Sequence, residues 1–253
     1  MNINQEENIG VKDFFTEFNA LKNTAYFESG FLKGVFSMAD SFVRTTEYGV
    51  YIFDYSKKEV VYVSENITQW CGLQLSDINK KGYDYYLKYV CMEDLKMLVE
   101  INNAGFAFWN SLPEGASLNY VVSYDFRFGS LMVNQRYTPV ILDGGKICMA
   151  VCVVSLSSSK ASGNIVMTCT KNGYRYTYSM SLKKWIKSKK LFLSDKEAEI
   201  IRLSIQGFST SEIAEKTLTG TETVKTHKKN IYRKLKVGSM TEAVRFAINH
   251  NLL

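Results

Sequence analysis

The hydrophobic pattern of this chain changes from short strand-like runs in its first two thirds to helical spacing near its C-terminus. Between residues 50 and 179, apolar and β-branched residues form short runs separated by turn residues, which predicts strands. After residue 193, apolar residues recur every three or four positions, which predicts amphipathic helices. We therefore predict an α+β protein in which an antiparallel sheet with flanking helices precedes an all-α domain.

The N-terminal part has strand signals at both ends and helix signals between them. A short helix is predicted after Ser64, at residues 65–71, and a longer amphipathic helix at residues 92–103. The predicted strands are 50–54, 60–63, 118–128, 132–142 and 146–156, with a further hairpin of 165–170 and 174–179.

The sequence TGTETVKTHKKNIYRKL, residues 219–235, predicts a helix with two chemically different sides. At 100° per residue, one side collects Val224, Ile231 and Leu235, with His227 at its edge. The other side holds Glu222, Lys225, Thr226, Lys229, Tyr232 and Arg233. A shorter amphipathic stretch, residues 211–216, lies just before it, and two helices joined this tightly predict a helix-turn-helix. In that motif the second helix lies in the major groove, where lysine pairs with guanine and a threonine methyl meets a thymine methyl.

The net charge of +6 is distributed unevenly, as −5 over residues 1–156, +8 over 157–190 and +3 over 191–253. The basic balance therefore lies where a phosphate backbone would be met. The basic run at 183–190 has two interpretations: sequence-independent contacts to DNA, or a solvated linker between domains. Taken alone, the cations of the helix predicted at 219–235 would also fit an ordinary solvated helix surface. They are Lys225, Lys228, Lys229, Arg233 and Lys234.

Several spaced motifs resemble the LuxR-type (GerE-like) DNA-binding domain. They are L-S-x-x-E at 193–197, G-x-S-x-x-E-I-A at 207–214, T-V-K-x-H at 223–227, and the pairs Asn230-Ile231, Lys234-Leu235 and Glu242-Ala243. The resemblance implies a four-helix domain at 191–253 in which Lys225, Thr226 and Lys229 face DNA bases. It also implies a set of residues near the DNA backbone: Ser209, Thr221, Thr223, Lys228 and Arg233. The last helix, about 239–250, resembles the family's dimerisation helix. In the recognition helix, His227 stands where the family has a histidine that acts as a packing residue.

Three residues in the turn depart from the family's pattern. Thr217 stands where the family usually has Leu, Thr219 where it has Ile or Val, and Gly220 where it has a Ser or Thr helix cap. Glycine is tolerated as an N-cap, and Thr221 could take that role one residue later. We therefore expect a turn that is slightly reshaped or less stable than usual, and a recognition helix whose exact start is open.

Residues 42–157 are similar to a PAS domain. The resemblance rests on two strands, short helices and three antiparallel strands in that order, and on G-V-Y-I-F-D-Y at 49–55, Y-V-S-E-N-I at 62–67 and M-E-D at 92–94. Such domains commonly sense a signal in a pocket between sheet and helices. The candidate pocket residues are Trp70, Tyr120, Tyr124 and Phe126. The alternative is that these aromatic residues form core or dimer interface, as aromatic residues often do.

No cofactor is expected, although the PAS resemblance leaves an unidentified small molecule open. The first histidine of the chain is His227, so the PAS-like region lacks the ligand of a His-ligated haem. The five cysteines form no C-x-x-C pairs, so no metal site is predicted. The sequence contains neither G-x-x-x-x-G-K nor G-x-S-x-G, and nothing else predicts an enzyme.

The apolar pattern predicts neither a membrane segment nor a signal peptide. The longest apolar run, residues 147–154, is far shorter than the ~20 residues needed to cross a bilayer, and the first residues, MNINQEEN, are polar. We therefore expect a soluble, cytoplasmic protein.

The sequence as a whole predicts four segments. They are a helical or flexible lead at 1–41, a PAS-like sensor or dimerisation domain at 42–157, a basic hairpin and linker at 158–190, and the helix-turn-helix domain at 191–253. We expect a bacterial transcriptional regulator, a homodimer that binds double-stranded DNA, with RNA polymerase as a further candidate partner. The alternative is a ligand-binding or protein-interaction adaptor whose C-terminal helices dock on a protein.

Overall fold

The chain divides into two compact units, Met1–Lys189 and Lys190–Leu253. The computed structural model describes residues 9–18, 29–71, 84–143, 145–188, 192–249 and 252–253. The first unit contains a β-sheet with flanking helices, and the second contains helices. The predicted α+β class is therefore confirmed.

One antiparallel sheet forms the centre of the first unit. Its strands are β1 (Gly49–Asp54), β2 (Glu59–Val63), β3 (Tyr120–Phe128), β4 (Leu131–Asp143), β5 (Lys146–Leu156), β6 (Gly163–Cys169), β7 (Arg175–Ser179) and β8 (Lys184–Ser188). They lie in the order β2-β1-β5-β4-β3-β6-β7-β8. Each of the seven strands predicted from the sequence is present to within two residues at either end.

The helices of the first unit cover both faces of the sheet. They are α1 (Ser29–Arg44), α2 (Glu65–Cys71), α3 (Asp84–Tyr89) and α4 (Met92–Asn110), with short 3-10 turns at Val11–Phe15 and Ala116–Asn119. Ile101 and Phe106 of α4 are buried in one core with Val122 and Phe126 of β3. On the other face, Ile52 is packed in a separate cluster with residues spaced as one side of α1: Leu32, Val35, Phe36 and Ala39.

Helix α4 continues seven residues beyond the predicted end at residue 103. Gly105 interrupts the apolar pattern there, which is why the sequence signal stops early. A Cβ at Gly105 would lie 3.1 Å from the Tyr137 hydroxyl, so the glycine lets α4 approach the sheet closely.

Of the helical or flexible lead predicted at residues 1–41, the parts that the structure describes are helical and partly packed in the core, so for them the flexible alternative is wrong. Phe14 and Phe15 are buried in the main core. The side-chain amide of Asn103 on α4 donates a hydrogen bond to the Asp13 carbonyl at 2.6 Å, and that of Asn102 donates to the Phe14 carbonyl. Helix α1 also runs across the predicted boundary at 41/42. A segment with only two adjacent buried aromatic residues has no periodicity that would reveal its packing.

The predicted linker after the basic hairpin is also corrected, because residues 184–188 form strand β8. The indole N–H of Trp185 donates to the Ala104 carbonyl on α4 at 3.0 Å, and its ring lies 5.0 Å from that of Tyr178. As β8 is the last strand of the sheet, its lysines stay exposed, a common property of edge strands. Their charge concealed the strand in the sequence.

The second unit consists of α5 (Asp195–Ile205), α6 (Thr210–Lys216), α7 (Thr221–Leu235) and α8 (Met240–Asn249). Its core contains residues from all four helices: Ile200, Ile201, Ile213, Ala214, Val224, Ile231, Leu235, Ala243 and Ala247. Helix α5 begins with a capping box, in which Ser194 Oγ accepts from the Glu197 amide at 3.3 Å and the Glu197 carboxylate accepts from the Ser194 amide at 2.8 Å. This is the physical basis of the L-S-x-x-E motif.

A buried carboxylate fastens the first turn of α4 to β3. Asp94 is 1% exposed and accepts from the Arg127 amide at 2.8 Å, from Arg127 Nε at 3.1 Å and from Ser162 Oγ at 2.7 Å. Burial raises the pKa of Asp94, but the hydrogen bonds from Arg127 and Ser162 outweigh it and hold the pKa below its usual value. Arg127 also pairs with the exposed Glu93 at 2.9 Å.

Replacing Gly49 tests how closely β1 and α2 are packed. A Cβ at Gly49 would lie 2.3 Å from Ile67 Cγ1, so we expect Gly49→Ala to destabilise the first unit by about 1–3 kcal/mol through overpacking. Urea unfolding followed by tryptophan fluorescence measures this, since the three tryptophans all lie in the first unit: Trp70, Trp109 and Trp185. Gly34→Ala is the matched control, because a Cβ at this position in α1 has no atom within 4 Å and a helix prefers alanine. Equal destabilisation by both would contradict the packing described.

The Asp94 cluster predicts a specific pH dependence. We expect Asp94→Asn to lower the free energy of unfolding of the first unit by about 2–3 kcal/mol at pH 7, because charged hydrogen bonds are lost. The folded-state pKa of Asp94 lies below the unfolded value of about 3.9, so the wild-type advantage is complete above that pH. It is lost as the pH falls through the folded-state pKa, and the two unfolding curves should converge in acid. Glu93→Gln, which removes an exposed pair with the same arginine, should change little at any pH.

Candidate nucleic-acid interface

Helices α6 and α7 are joined by the turn at residues 217–220, and the two helices are capped differently. Ser209 caps α6, since its Oγ accepts from the Glu212 amide at 3.3 Å while the Glu212 carboxylate accepts from the Ser209 amide at 2.7 Å. Gly220 caps α7 with its backbone alone. The expectation that Thr221 takes the cap role is wrong, because Thr221 is already the first residue of α7.

The threonines that depart from the family pattern in this turn are satisfied locally. Thr217 is buried, and its hydroxyl donates to the Ile213 carbonyl at 2.7 Å. Thr219 Oγ1 lies 2.9 Å from Thr217 Oγ1, so the two hydroxyls share a hydrogen bond. Between them, Leu218 is exposed and has a φ of 51°, a left-handed conformation that side chains other than glycine rarely adopt. That the turn differs in shape or stability from the family's usual turn stays a prediction.

Helix α7 has the two sides that its sequence predicts. Val224, Ile231 and Leu235 are buried against the other helices of the unit. His227 is half-buried at the edge, as expected of a packing residue. The residues predicted to face bases are all exposed, together with one neighbouring carboxylate: Lys225, Thr226, Lys229 and Glu222.

Glu222 organises two of the predicted base-facing residues. Its carboxylate forms an ion pair with Lys225 Nζ at 2.6 Å, one helical turn away. Its backbone carbonyl accepts from Thr226 Oγ1 at 2.9 Å. The hydroxyl of Thr226 is therefore engaged with the helix backbone, which leaves its methyl group for an apolar contact. The helical wheel places Glu222 on this side, but only the structure shows these contacts.

The residues predicted to lie near the DNA backbone are spread over both helices. Thr221 and Thr223 are exposed in the first turn of α7, and Ser209 is exposed at the start of α6. Lys228 is half-buried and donates to Thr210 Oγ1 on α6 at 2.9 Å.

Arg233 is exposed and donates to Asn230 Oδ1 at 3.2 Å. It lies about 12 Å along α7 from Lys225 at 1.5 Å per residue, so the two ends of the predicted surface are well separated.

Lys234 does not belong to the solvated charge run in which the sequence places it. Its ammonium group pairs with the buried Glu197 carboxylate and donates to the Phe192 carbonyl at 3.3 Å. Burial raises the pKa of Glu197, but the bonds from Lys234 and Ser194 outweigh it and lower the pKa overall. The pair joins the end of α7 to the start of α5. Its partners are 37 residues apart in the chain, so helical periodicity could not reveal it.

The four aromatic residues predicted as a pocket lining all pack in the core of the first unit. Tyr120, Tyr124 and Phe126 are buried, and the half-buried Trp70 packs against the same cluster. The rings of Tyr124 and Phe126 lie 5.9 Å apart, and the Tyr124 hydroxyl accepts from Gln135 Nε2 at 2.7 Å. These contacts fit the alternative that the aromatic residues form core.

A small cleft lies elsewhere in the first unit, beside the C-terminal half of α4. Its lining is Phe18, Phe106, Trp109, Asn110, Ser117, Gly145, Lys146 and Ile147. Trp109 Nε1 and Ser117 Oγ are buried and have no hydrogen-bond partner among the described residues. The space that water can occupy in this cleft is about 20 Å³, enough for a single water molecule.

Within the described ranges, no group of three His, Cys, Asp or Glu side chains is placed to hold a metal ion. Cys148, Cys152 and Cys169 are buried, and Cys91 is exposed. None of the helices in the part of the chain that the structure covers is long and apolar enough to span a membrane.

Two solved structures are weakly similar to this chain over most of its length. The VqmA dimer of Vibrio cholerae in the absence of target DNA has 14% sequence identity and a TM-score of 0.34, covering 85% of this chain and 88% of that one. SdiA of Escherichia coli has 13% identity and a TM-score of 0.28, covering 90% and 93%. TM-scores this low do not establish a common fold.

A curated relative matches a short part of the chain. The response regulator protein VraR of Staphylococcus aureus is 44% identical over 61 residues, which are 24% of this chain and 29% of that protein. The chain therefore spans less than a third of the length of the curated relatives that it matches.

A family model matches part of the second unit. Residues 191–247 match the family described as bacterial regulatory proteins, luxR family. The matched residues include α5, α6, α7 and most of α8, with the capping boxes at Ser194 and Ser209 and the buried and exposed sides of α7. The helix-turn-helix of the second unit is therefore a GerE/LuxR-type domain.

Proposed function

We propose that this protein is a sequence-specific DNA-binding transcriptional regulator. The observation that carries the proposal is α7 itself, since its apolar side is fixed in the core and its exposed side holds Lys225, Thr226 and Lys229. This helix belongs to a domain whose family consists of bacterial regulatory proteins.

In the proposed complex, α7 lies in the major groove with its N-terminal half against the base edges. Lys225 and Lys229 donate to the O6 and N7 atoms of guanine, and the Thr226 methyl contacts a thymine methyl. The hydrogen bond from the Thr226 hydroxyl to the Glu222 carbonyl supports the apolar role of Thr226.

The contacts with phosphates come from both helices of the motif. Among the proposed backbone residues, Lys228 is the best placed to position both helices on the phosphates, because its bond to Thr210 links α7 to the start of α6. The other proposed backbone residues are Ser209, Thr221, Thr223 and Arg233. Phosphate contacts set the register of the protein on DNA, and base contacts select the sequence.

The first unit is proposed to be a PAS-like module that senses a signal or mediates dimerisation. Its strands β1 and β2, the helices that follow and the strands β3 to β5 occur in the order expected for such a module. In a homodimer, a signal that shifts the pairing of two subunits would change the spacing of the two α7 helices. Two-fold symmetry then requires half-sites about one helical turn, ~34 Å, apart. Catalysis is not part of this proposal.

Selection from a random pool of duplex DNA tests the proposal directly. We expect the purified wild-type protein to enrich a motif with two-fold symmetry. A Lys225→Ala/Lys229→Ala variant should lose that motif, because each lysine–guanine contact contributes ~1–3 kcal/mol of discrimination.

Arg202→Ala, which removes an exposed cation from α5, is the matched control for the single variant Lys229→Ala. Arg202→Ala should retain the motif, whereas Lys229→Ala should relax it at one position of each half-site. A folded wild-type protein that enriches no motif would contradict the proposal and favour a protein partner for α7.

Salt dependence distinguishes the phosphate contacts from the base contacts. We expect Lys228→Ala to weaken binding to all sequences about equally and to reduce the log–log salt slope by about one, because one counterion-releasing contact is lost. Fluorescence anisotropy between 50 and 200 mM salt measures the slope, about the range in which such contacts respond strongly. Lys225→Ala should instead act mainly on the preferred sequence. If the affinity of the wild-type protein for DNA hardly changes with salt concentration, the proposed phosphate contacts are contradicted and an apolar partner is favoured.

A further inference from the structure

We propose that Glu222 is a fourth base-contacting residue, and that Glu222 and Lys225 together recognise one G·C base pair. Glu222 accepts from the cytosine amino group, while Lys225 donates to the guanine paired with it. The inference rests on the proposed DNA-binding function and concerns the sequence that the protein selects.

Glu222 lies on the same side of α7 as the residues predicted to face bases. Lys225, Thr226 and Lys229 follow it by three, four and seven residues, so the four side chains form one stripe along the exposed side of the helix. Glu222 lies second in the helix and its side chain is 82% exposed. Any surface that meets the three predicted base-facing residues therefore also meets this carboxylate.

The negative charge of Glu222 limits which groups of DNA it can contact. A carboxylate turned towards a phosphate group would be repelled, whereas the major groove offers hydrogen-bond donors at cytosine N4 and adenine N6. In the groove, therefore, Glu222 has a favourable partner only at a base that presents an amino group. Cytosine is the usual partner of a glutamate in this setting.

The pairing of Glu222 with Lys225 favours cytosine over adenine as the base that Glu222 contacts. The Nζ and Oε1 atoms are 2.6 Å apart, so a donor and an acceptor stand side by side on the helix surface. A G·C pair presents the complementary arrangement, with the guanine O6 acceptor beside the cytosine N4 donor. Lysine prefers guanine because O6 and N7 are both acceptors. Glu222 and Lys225 thus lie side by side before DNA is bound. Because both side chains are exposed, their ion pair contributes little to the stability of the folded protein.

The experiment uses the whole 253-residue chain and the motif that the wild type enriches. Selection is repeated with Glu222→Ala and with Glu222→Gln, which keeps a carbonyl oxygen as acceptor but loses the charge. Glu215→Ala is the matched control, since it removes an exposed carboxylate from the neighbouring helix α6. Circular dichroism confirms that the helices remain intact in each variant.

We expect Glu222→Ala to reduce the preference for one G·C pair per half-site by about fivefold, the effect of losing one good base contact. Its affinity for unrelated DNA should rise, because a negative charge has been removed from the surface that meets DNA. Glu215→Ala should leave the base preference unchanged. Glu222→Gln should retain part of the preference.

A modified base shows whether the cytosine amino group is the partner. N4-methylcytosine at the selected position still pairs with guanine but replaces the N–H in the major groove by a methyl group. This change should weaken wild-type binding by about fivefold and leave Glu222→Ala binding nearly unchanged.

The outcomes separate the two proposals. If the wild type enriches a motif and Glu222→Ala enriches the same motif with the same G·C preference, this inference is overturned and the proposed function stands. Equal weakening of both proteins by N4-methylcytosine would also overturn it. If the wild type enriches no motif, both proposals fail.

Discussion

The burial of Val224, Ile231 and Leu235 in the second unit is the interaction on which its surface depends. These three residues fix the rotation of α7 about its own axis. Because successive residues of a helix are 100° apart, fixing one side also fixes which residues are exposed on the other. Each buried aliphatic side chain contributes about 1.5–3 kcal/mol, whereas an exposed ion pair contributes at most about 1 kcal/mol. Packing, more than charge, therefore decides that Lys225, Thr226 and Lys229 meet solvent.

Two polar contacts then fasten α7 to the neighbouring helices. The pair between Lys234 and Glu197 ties the last turn of α7 to the cap of α5, and the bond from Lys228 to Thr210 ties its middle to α6. Lys234 is thus a structural element, although its sequence context is that of a basic surface. The five cations of this region thus divide between structural and solvent-facing roles.

The sequence was sufficient where a periodic pattern coincided with local structure. The strands β1 to β7 and the two sides of α7 follow from alternation and helical spacing, which depend on neighbouring residues alone. Strand β8 pairs with its neighbour β7, but its lysines indicated a linker, and the contact of Trp185 with a helix 81 residues earlier in the chain leaves no local pattern in the sequence. The packing of Phe14 and Phe15 was hidden for the same reason. In the site, residue types and exposure were predictable, but the partners of Lys234 and Glu222 required coordinates.

The burial of the N-terminal segment at Phe14 and Phe15 bears on how the sheet unit can be isolated. A truncated protein that began at residue 42, where the sequence suggests a domain start, would lose both aromatic residues and most of α1. It would also leave the Asn102 side chain without the carbonyl to which it donates, and the apolar cluster around Ile52 without its cover. Losing two buried phenylalanines alone removes several kcal/mol from a domain that typically has 5–15 kcal/mol in total. A fragment of this unit that is meant to stay folded in solution therefore has to include Phe14, Phe15 and α1.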